Sequence, residues 1–345
     1  MRCFKKCLIA SALFLCIVSV FSAFFLHEFF SSECLSCLDS AARQELSGSL
    51  DMLIVGSCQG MNGFNTKIID EELGVNSYNL CGNHMSPAGE VAIIEEELAR
   101  NPVKYVIIDI DYDTLSYTNK DVKASGNLET VPRLSGLGKK LSFFLKNIRY
   151  EDWDVVYSTY LYNGILTAID KVNGTYTSAV DRENKGFTVK KAVDQTLDSE
   201  NILDLKNSQK INTAVVENND NKLRNLIDIC IDSGAKVLLV TTPSSDSYVW
   251  LYDGWDELHS NVAEIADEFD VEYIDFNLLK NRNEIFDDAV SFRGKWSLAD
   301  TGAEAFSLEF SKIFNLRENG MDISDLFYET YEQAKNNSVY AKGQQ

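Results

Sequence analysis

Apolar runs of strand length alternate with helix-length amphipathic stretches along most of the chain. That alternation restricts the fold more than any other feature. Residues 52–55 are an apolar run, 64–73 read as a helix, and 77–80 form a second short strand. Pro87 opens a helix reaching Arg100, with Val91, Ile94 and Leu98 at helical spacing. Residues 103–110 are almost continuously apolar, as strands buried on both faces tend to be. After an interruption the order resumes with a helix at 221–232 closed by Gly234, a strand at 236–241 and a helix at 255–269. A strand at 272–276 and a helix at 300–314 follow. The pattern predicts an α/β fold in three layers, α/β/α, built on a parallel, doubly wound sheet within residues 50–316. Residues 115–216 form an insertion, aromatic-rich near its start and polar later, suited to a cap or an interaction surface. Residues 317–345 read as a polar tail.

The N-terminus predicts the compartment. Arg2, Lys5 and Lys6 precede an uncharged run over residues 7–26, and twenty helical residues span about 30 Å of hydrocarbon. Positive charge before the run predicts a single-pass helix with a cytoplasmic N-terminus and an extracytoplasmic main domain, placing the protein in the cell membrane. The alternative is a cleaved signal peptide with a weak processing site at Val20-Phe21-Ser22. Apolar character continues to Phe30, which favours an uncleaved anchor (1–30) followed by a stalk (31–49).

A net charge of −20 makes nucleic acid a poor partner, since phosphate binding needs a basic surface. Eight cysteines do not form a disulfide framework. Cys34 and Cys37 are one C-x-x-C pair with no second pair at ligand spacing, so no metal is expected, nor any cofactor. Cys81 and Cys230 lie in apolar surroundings and read as small core residues.

In a wound parallel sheet, ligands bind beyond the carboxyl ends of the strands. That rule brings residues 56–59, 82–84, 109–113, 241–245 and Asn277 to one edge. At the end of the first strand, Gly56-Ser57-Cys58 puts a thiol on a turn leading into a helix, where N-terminal amides favour an anion. A thiol so placed is expected to be partly thiolate.

Gly56-Ser57-Cys58, the strand end Ser77-Tyr78-Asn79-Leu80-Cys81-Gly82 and Pro102-Val103-Lys104-Tyr105-Val106 together resemble the SGNH/GDSL hydrolase superfamily, in particular its membrane-anchored extracytoplasmic members. Further on, Ser297-Leu298-Ala299-Asp300-Thr301-Gly302-Ala303 resembles the family's Asp-x-x-His-Leu-x-x-x-Gly-Ala block. The resemblance covers roughly 50–114 and 217–315, and implies a flavodoxin-like fold. It places the nucleophile at Cys58, the usual His at Ser297 and the usual Asp at Gly294. Amides near Ser57 and Gln59, the Gly82 amide and the Asn83 side chain take the oxyanion role. It further implies acyl-ester or cell-envelope glycopolymer as substrate. A membrane-bound acyltransferase is the implied partner, in O-acetyl or D-alanyl modification.

The departures matter chemically. Cys, Ser and Gly stand where Ser, His and Asp are usual, and Ser297 cannot accept a proton at neutral pH. The leading expectation is therefore a catalytically degenerate binding or handover component. One alternative is an active Cys58 enzyme with His84 as its base, His84 being the histidine predicted at the site edge. A non-catalytic assembly factor is the other. His259, beside Leu258 and Val262, reads as structural. Asp109-Ile110-Asp111-Tyr112-Asp113 lacks the Gly and Glu of a calcium loop, so its carboxylates read as capping nearby amides. Finally, residues 131–150 hold five cations and no acid, among Leu141, Phe143, Phe144 and Leu145. Such a stretch suits an anionic lipid surface or a membrane partner.

Overall fold

A computed structural model describes residues 11–17, 19, 43–112, 115, 124–156, 173, 184–189, 191, 217–250, 254–294 and 297–337. Five parallel strands form one sheet: β1 (Met52–Val55), β2 (Ser77–Asn79), β3 (Tyr105–Asp109), β4 (Lys236–Thr241) and β5 (Glu272–Asp275), in the order β2-β1-β3-β4-β5. Adjacent strands pair in register, for example Ile54 with Asn79 and Ile107, and Ile108 with Leu239. The order reverses between β1 and β3, the switch point at which such sheets open a crevice.

The helices of the domain are α1 (Cys58–Gly63), α2 (Thr66–Leu73), α3 (Pro87–Leu98), α4 (Ala124–Arg133), α5 (Leu137–Asn147), α6 (Glu217–Asp232), α7 (Asp246–Val249), α8 (Trp255–Glu268), α9 (Asp300–Glu318) and α10 (Tyr331–Asn337), with two further single-turn helices at Trp153–Val156 and Arg282–Ile285 among the described residues. Because strand side chains alternate, the sheet feeds two separate cores. Leu53, Val55, Val106, Ile108, Val237 and Leu239 meet α3, α6 and α8 on one face. Met52, Ile54, Ile107, Leu238 and Val240 meet α2 and α9 on the other. Three layers follow directly. Cys81 and Cys230 are buried free thiols, one in each core.

Local chemistry sets the helix ends. The Ser86 hydroxyl accepts the Gly89 N–H and Pro87 opens α3. Asn65 caps α2, which ends at the left-handed Gly74. The predicted helix at 64–73 is α2, starting two residues later at Thr66, and a separate short helix, α1, precedes it. Cys58 itself starts α1, and the chain breaks at Phe64 before Asn65 caps α2. The break suits the packing, because Gly60 and Gly63 let α1 sit close to the sheet. A Cβ on Gly60 would lie 2.7 Å from both Asp109 Oδ2 and Cys81 Sγ.

Two predicted appendages return onto the domain. In the insertion, Leu128, Val131, Leu134, Phe143, Phe144 and Val156 join the same core as the sheet. Arg133 reaches the end of β2, donating to the Leu80 carbonyl at 2.7 Å and the Cys81 carbonyl at 3.3 Å. The expected tail also packs: Tyr328 N–H donates to the Leu278 carbonyl, and Tyr331 of α10 is buried. Aromatic residues at 327, 328 and 331 outweigh the polar composition around them. On the N-terminal side Arg43 is wholly buried, so the end of the stalk is part of the domain.

Of the predicted membrane span 7–26, residues 11–17 and 19 are described, and they are helical and exposed. No helix among the described residues is long and apolar enough to cross a membrane. The rest of that span, with His27, Cys34 and Cys37, lies outside the described residues.

Candidate functional site

The carboxyl edge of the sheet does gather the separate segments. A small cleft there is lined by Gln59 from α1, Asp111 and Tyr112 after β3, Thr241 and Ser244 at the end of β4, and Asn277 after β5. Tyr248, Val249 and Trp255 add an apolar wall. The space leaves room for about one water molecule.

Cys58 sits half-buried beside this cleft. Its sulfur accepts the His84 backbone N–H, which favours the thiolate, and sits beside the Ser57 hydroxyl. Burial and the carboxylates of Asp111 and Asp109 act more strongly the other way, and the thiol is pushed up to about 11. The expectation of a partly ionised thiol is therefore overturned. A six-residue helix offers a weak field, whereas two carboxylates and lost solvation oppose a second negative charge.

Each other predicted residue has a definite place. The Ser57 hydroxyl donates to Asp111 Oδ2 at 2.6 Å. Gln59 is buried and faces the cleft. The Gly82 N–H donates to the Gly56 carbonyl at 3.1 Å, extending the β1–β2 pairing and leaving no donor there for an oxyanion. Asn83 is exposed on the turn between Gly82 and Met85. His84, on the same turn, has a left-handed φ of 52°. Its carbonyl lies so close to Gly126 of α4 that a Cβ there would stand 1.8 Å from it. His84 thus meets Cys58 through its backbone amide. Gly294 and Ser297 occupy the turn of a small hairpin closed by the Phe292–Leu298 bridge. Leu298 is buried against α1, where a Cβ on Gly63 would be 3.5 Å from it.

Sequence reasoning undervalued the acidic groups behind the thiol. Asp109 is buried, accepting the Gly60 N–H at 2.7 Å and the Thr242 hydroxyl at 2.5 Å. Burial raises its pKa to about 7 despite these bonds, with Asp111 adding to the rise. Glu90 at the start of α3 is raised to about 8, first by burial and then by Asp109 and Asp111. The alternation of Asp109 and Asp111 along a strand end was the visible signal for the first two. Among the described residues, no group of His, Cys, Asp or Glu side chains is arranged to hold a metal ion.

His259 belongs to a different network. Its Nδ1 lies 3.1 Å from Asp275 Oδ2, which also accepts the Tyr112 and Tyr331 hydroxyls, each at 2.7 Å. Tyr112 touches both this network and the cleft.

Compared with known proteins, the chain matches no family model and no curated relative.

Proposed function

We propose that this chain is a membrane-anchored, extracytoplasmic SGNH-like protein that supports acyl modification of cell-envelope polymers by binding or handing over an acyl-bearing glycan, without cleaving the ester itself. The observation that carries the reading is the state of Cys58. The group at the nucleophile position is a neutral thiol held against two carboxylates, with the His84 backbone amide as its donor and a neighbouring Ser57 whose own proton goes to Asp111. A thiol of that pKa yields its proton poorly to an aspartate near 7.

Two features support the SGNH-like ancestry. The strand order β2-β1-β3-β4-β5 places Gly56-Ser57-Cys58 at the switch point. The Ser297-Leu298 segment directly precedes α9, as the resemblance expects of its last block, and Leu298 packs against Gly63 at the far end of α1 from Cys58. Gln59, Asp111, Ser244 and Asn277 beside Tyr248 and Trp255 give the cleft the mixture of amide, carboxylate and aromatic groups that suits a hydroxyl-rich ligand. The cleft must open to admit one.

The test uses the full chain in detergent with a chromogenic acetyl ester and with O-acetylated and de-acetylated envelope glycan. The expected result is no turnover above that of Cys58→Ala, with glycan binding that Gln59→Ala weakens. Turnover abolished by Cys58→Ala would establish the thiol enzyme instead. Failure to bind either glycan would end the handover reading.

A further inference from the structure

The α5 helix carries an apolar stripe on its outer surface. Phe143 and Phe144 point inward and are buried, while Leu137, Leu141 and Leu145 are exposed, Leu145 to 71%. These leucines are four residues apart, so they form one continuous stripe along three turns of helix. Lys139 and Lys146 lie on the other shoulder of the exposed face, and Arg149 follows the helix. Exposed Tyr150 and Trp153 continue the apolar surface, the Trp153 ring standing edge-on to buried Phe144 at 6.4 Å.

Three uncovered leucines flanked by cations are unusual on a chain whose net charge is −20. An anionic bilayer would repel most of such a molecule and attract this face, which fixes orientation as well as binding. A second observation puts this face on the side of the domain where the N-terminal segment arrives. Arg43, where the described domain begins, is held inside by Glu97 and by the Arg133 carbonyl at 2.6 Å. Arg133 is four residues before Leu137. Glu96 then joins the same corner to α5 itself, accepting the Ser135 N–H at 2.9 Å and pairing with Lys139 at 3.3 Å. The chain coming from the apolar segment 7–26 therefore enters the domain at the foot of α5. Residues 27–42 can extend at most about 58 Å.

We propose that the Leu137, Leu141 and Leu145 stripe of α5 rests on the anionic phospholipid headgroups of the bilayer that anchors the chain. The leucines enter the boundary between headgroups and acyl chains, and Lys146 meets the phosphates, while Lys139 and Arg149 are paired with Glu96 and Asp152 and add charge to the face without being free for contact. Tyr150 and Trp153 sit at the level that aromatic side chains favour. The domain then stands on its membrane by two points, one of them reversible. The inference rests on the anchored reading of residues 7–26.

The full chain, reconstituted in nanodiscs of phosphatidylcholine with or without phosphatidylglycerol, is followed by hydrogen exchange over residues 137–147. Exchange should slow about tenfold or more in the anionic discs. The protection should vanish in Leu141→Ser/Leu145→Ser, whose changes are confined to exposed positions. Equal exchange in both kinds of disc overturns the proposal. So does protection that follows protein concentration in lipid-free detergent, which would mean a second copy. Protection that appears only on adding another protein overturns it as well. Co-elution with the discs reads the anchor separately: a chain that fails to co-elute refutes the anchor. Docking is then decided by the same exchange measured with excess vesicles of each composition.

Discussion

Asp109 accepts the backbone N–H of Gly60 at 2.7 Å, fastening α1 to the end of β3 directly behind the Cys58 turn. That carboxyl is nevertheless raised to about 7 by burial, and Glu90 nearby to about 8. The fold therefore binds protons more tightly here than the unfolded chain does. Stability from these groups is fully present below about pH 4, near their unfolded values, and is lost as pH rises through 7 and 8. Each unit of displacement corresponds to about 1.4 kcal/mol. Urea denaturation of the full chain should show the midpoint falling from pH 5 to pH 8. Asp109→Asn keeps an acceptor for Gly60 and offers its amide to Thr242, so Asp109→Asn/Glu90→Gln should flatten the slope. A midpoint that climbs across this range contradicts the assignment.

Cys58 should behave as a protected thiol. With its pKa pushed up to about 11, the thiolate that alkylating reagents require is scarce at neutral pH. Peptide-resolved labelling with iodoacetamide should be slow at pH 7.5 and rise about tenfold per unit towards pH 10. Asp111→Asn removes the carboxylate that contributes most after burial and should speed labelling at every pH below 10. Labelling at pH 7 as fast as that of the urea-unfolded chain would overturn the raised pKa, and labelling faster than it would restore an activated nucleophile and with it the enzyme reading.

The buried Arg43–Glu97 pair joins the segment before the sheet to α3, and Arg43 also donates to the Arg133 carbonyl. Removing only Arg43 leaves buried Glu97 with the Arg100 guanidinium at 3.3 Å and the Asn101 amide at 3.2 Å. Arg43→Met should therefore cost less than the roughly 3–5 kcal/mol of a wholly broken buried pair, and Arg43→Met/Glu97→Leu should recover only part of it, since Arg100 and Asn101 then lose their acceptor. Equilibrium denaturation of the two variants gives the coupling. Equal losses would show that Arg43 acts through its contact with Arg133 instead.

The sheet was legible because β1, β3 and β4 are apolar on both faces and are separated by helices with recognisable caps. The short α1 was not: residues 58–63 carry Gly60 and Gly63, which disfavour a helix, and only tertiary packing explains why α1 needs them. Ser57, Cys58 and Asp109 stood out from their places at strand ends. Tyr248 and Trp255 did not, since an aromatic that lines a cleft and one that fills a core look alike along the chain. Buried Arg43 and Arg133 were similarly hidden, because their partners Glu97 and the Leu80 carbonyl are 54 and 53 residues away. The state of the thiol depends on Asp109 and Asp111, which approach it only once β1 and β3 pair.

Asp275 offers the sharpest test of how the C-terminal segment is held. Its Oδ2 accepts hydrogen bonds from Tyr112 and Tyr331 and faces His259, while Oδ1 accepts the Asn277 N–H at 3.0 Å. These partners outweigh burial and lower the Asp275 pKa. The carboxylate in turn raises that of His259 against the burial that would lower it. The Asp275 contribution is present above its unfolded value and is lost as pH falls through its lowered one. The His259 contribution is present below about 6.5 and is lost as pH rises through its raised one. The pair is therefore most effective between about pH 4 and 6.5. Tyr331→Phe removes one hydroxyl donor to a charged acceptor and should cost about 1.5–3 kcal/mol. It should also expose the segment following Phe327 to limited proteolysis, since Tyr331 fixes α10 to the domain. Asp275→Ala leaves Tyr112 and Tyr331 hydroxyls buried without their acceptor and should cost more than either tyrosine change alone. In the Asp109→Asn/Glu90→Gln background, which lacks the other two groups that titrate here, His259→Gln should reduce the loss of stability above pH 6.5 while leaving the acid side unchanged in direction. If His259→Gln leaves the alkaline limb intact, the imidazole is not the titrating partner, and the lowered Asp275 must rest on its tyrosine donors.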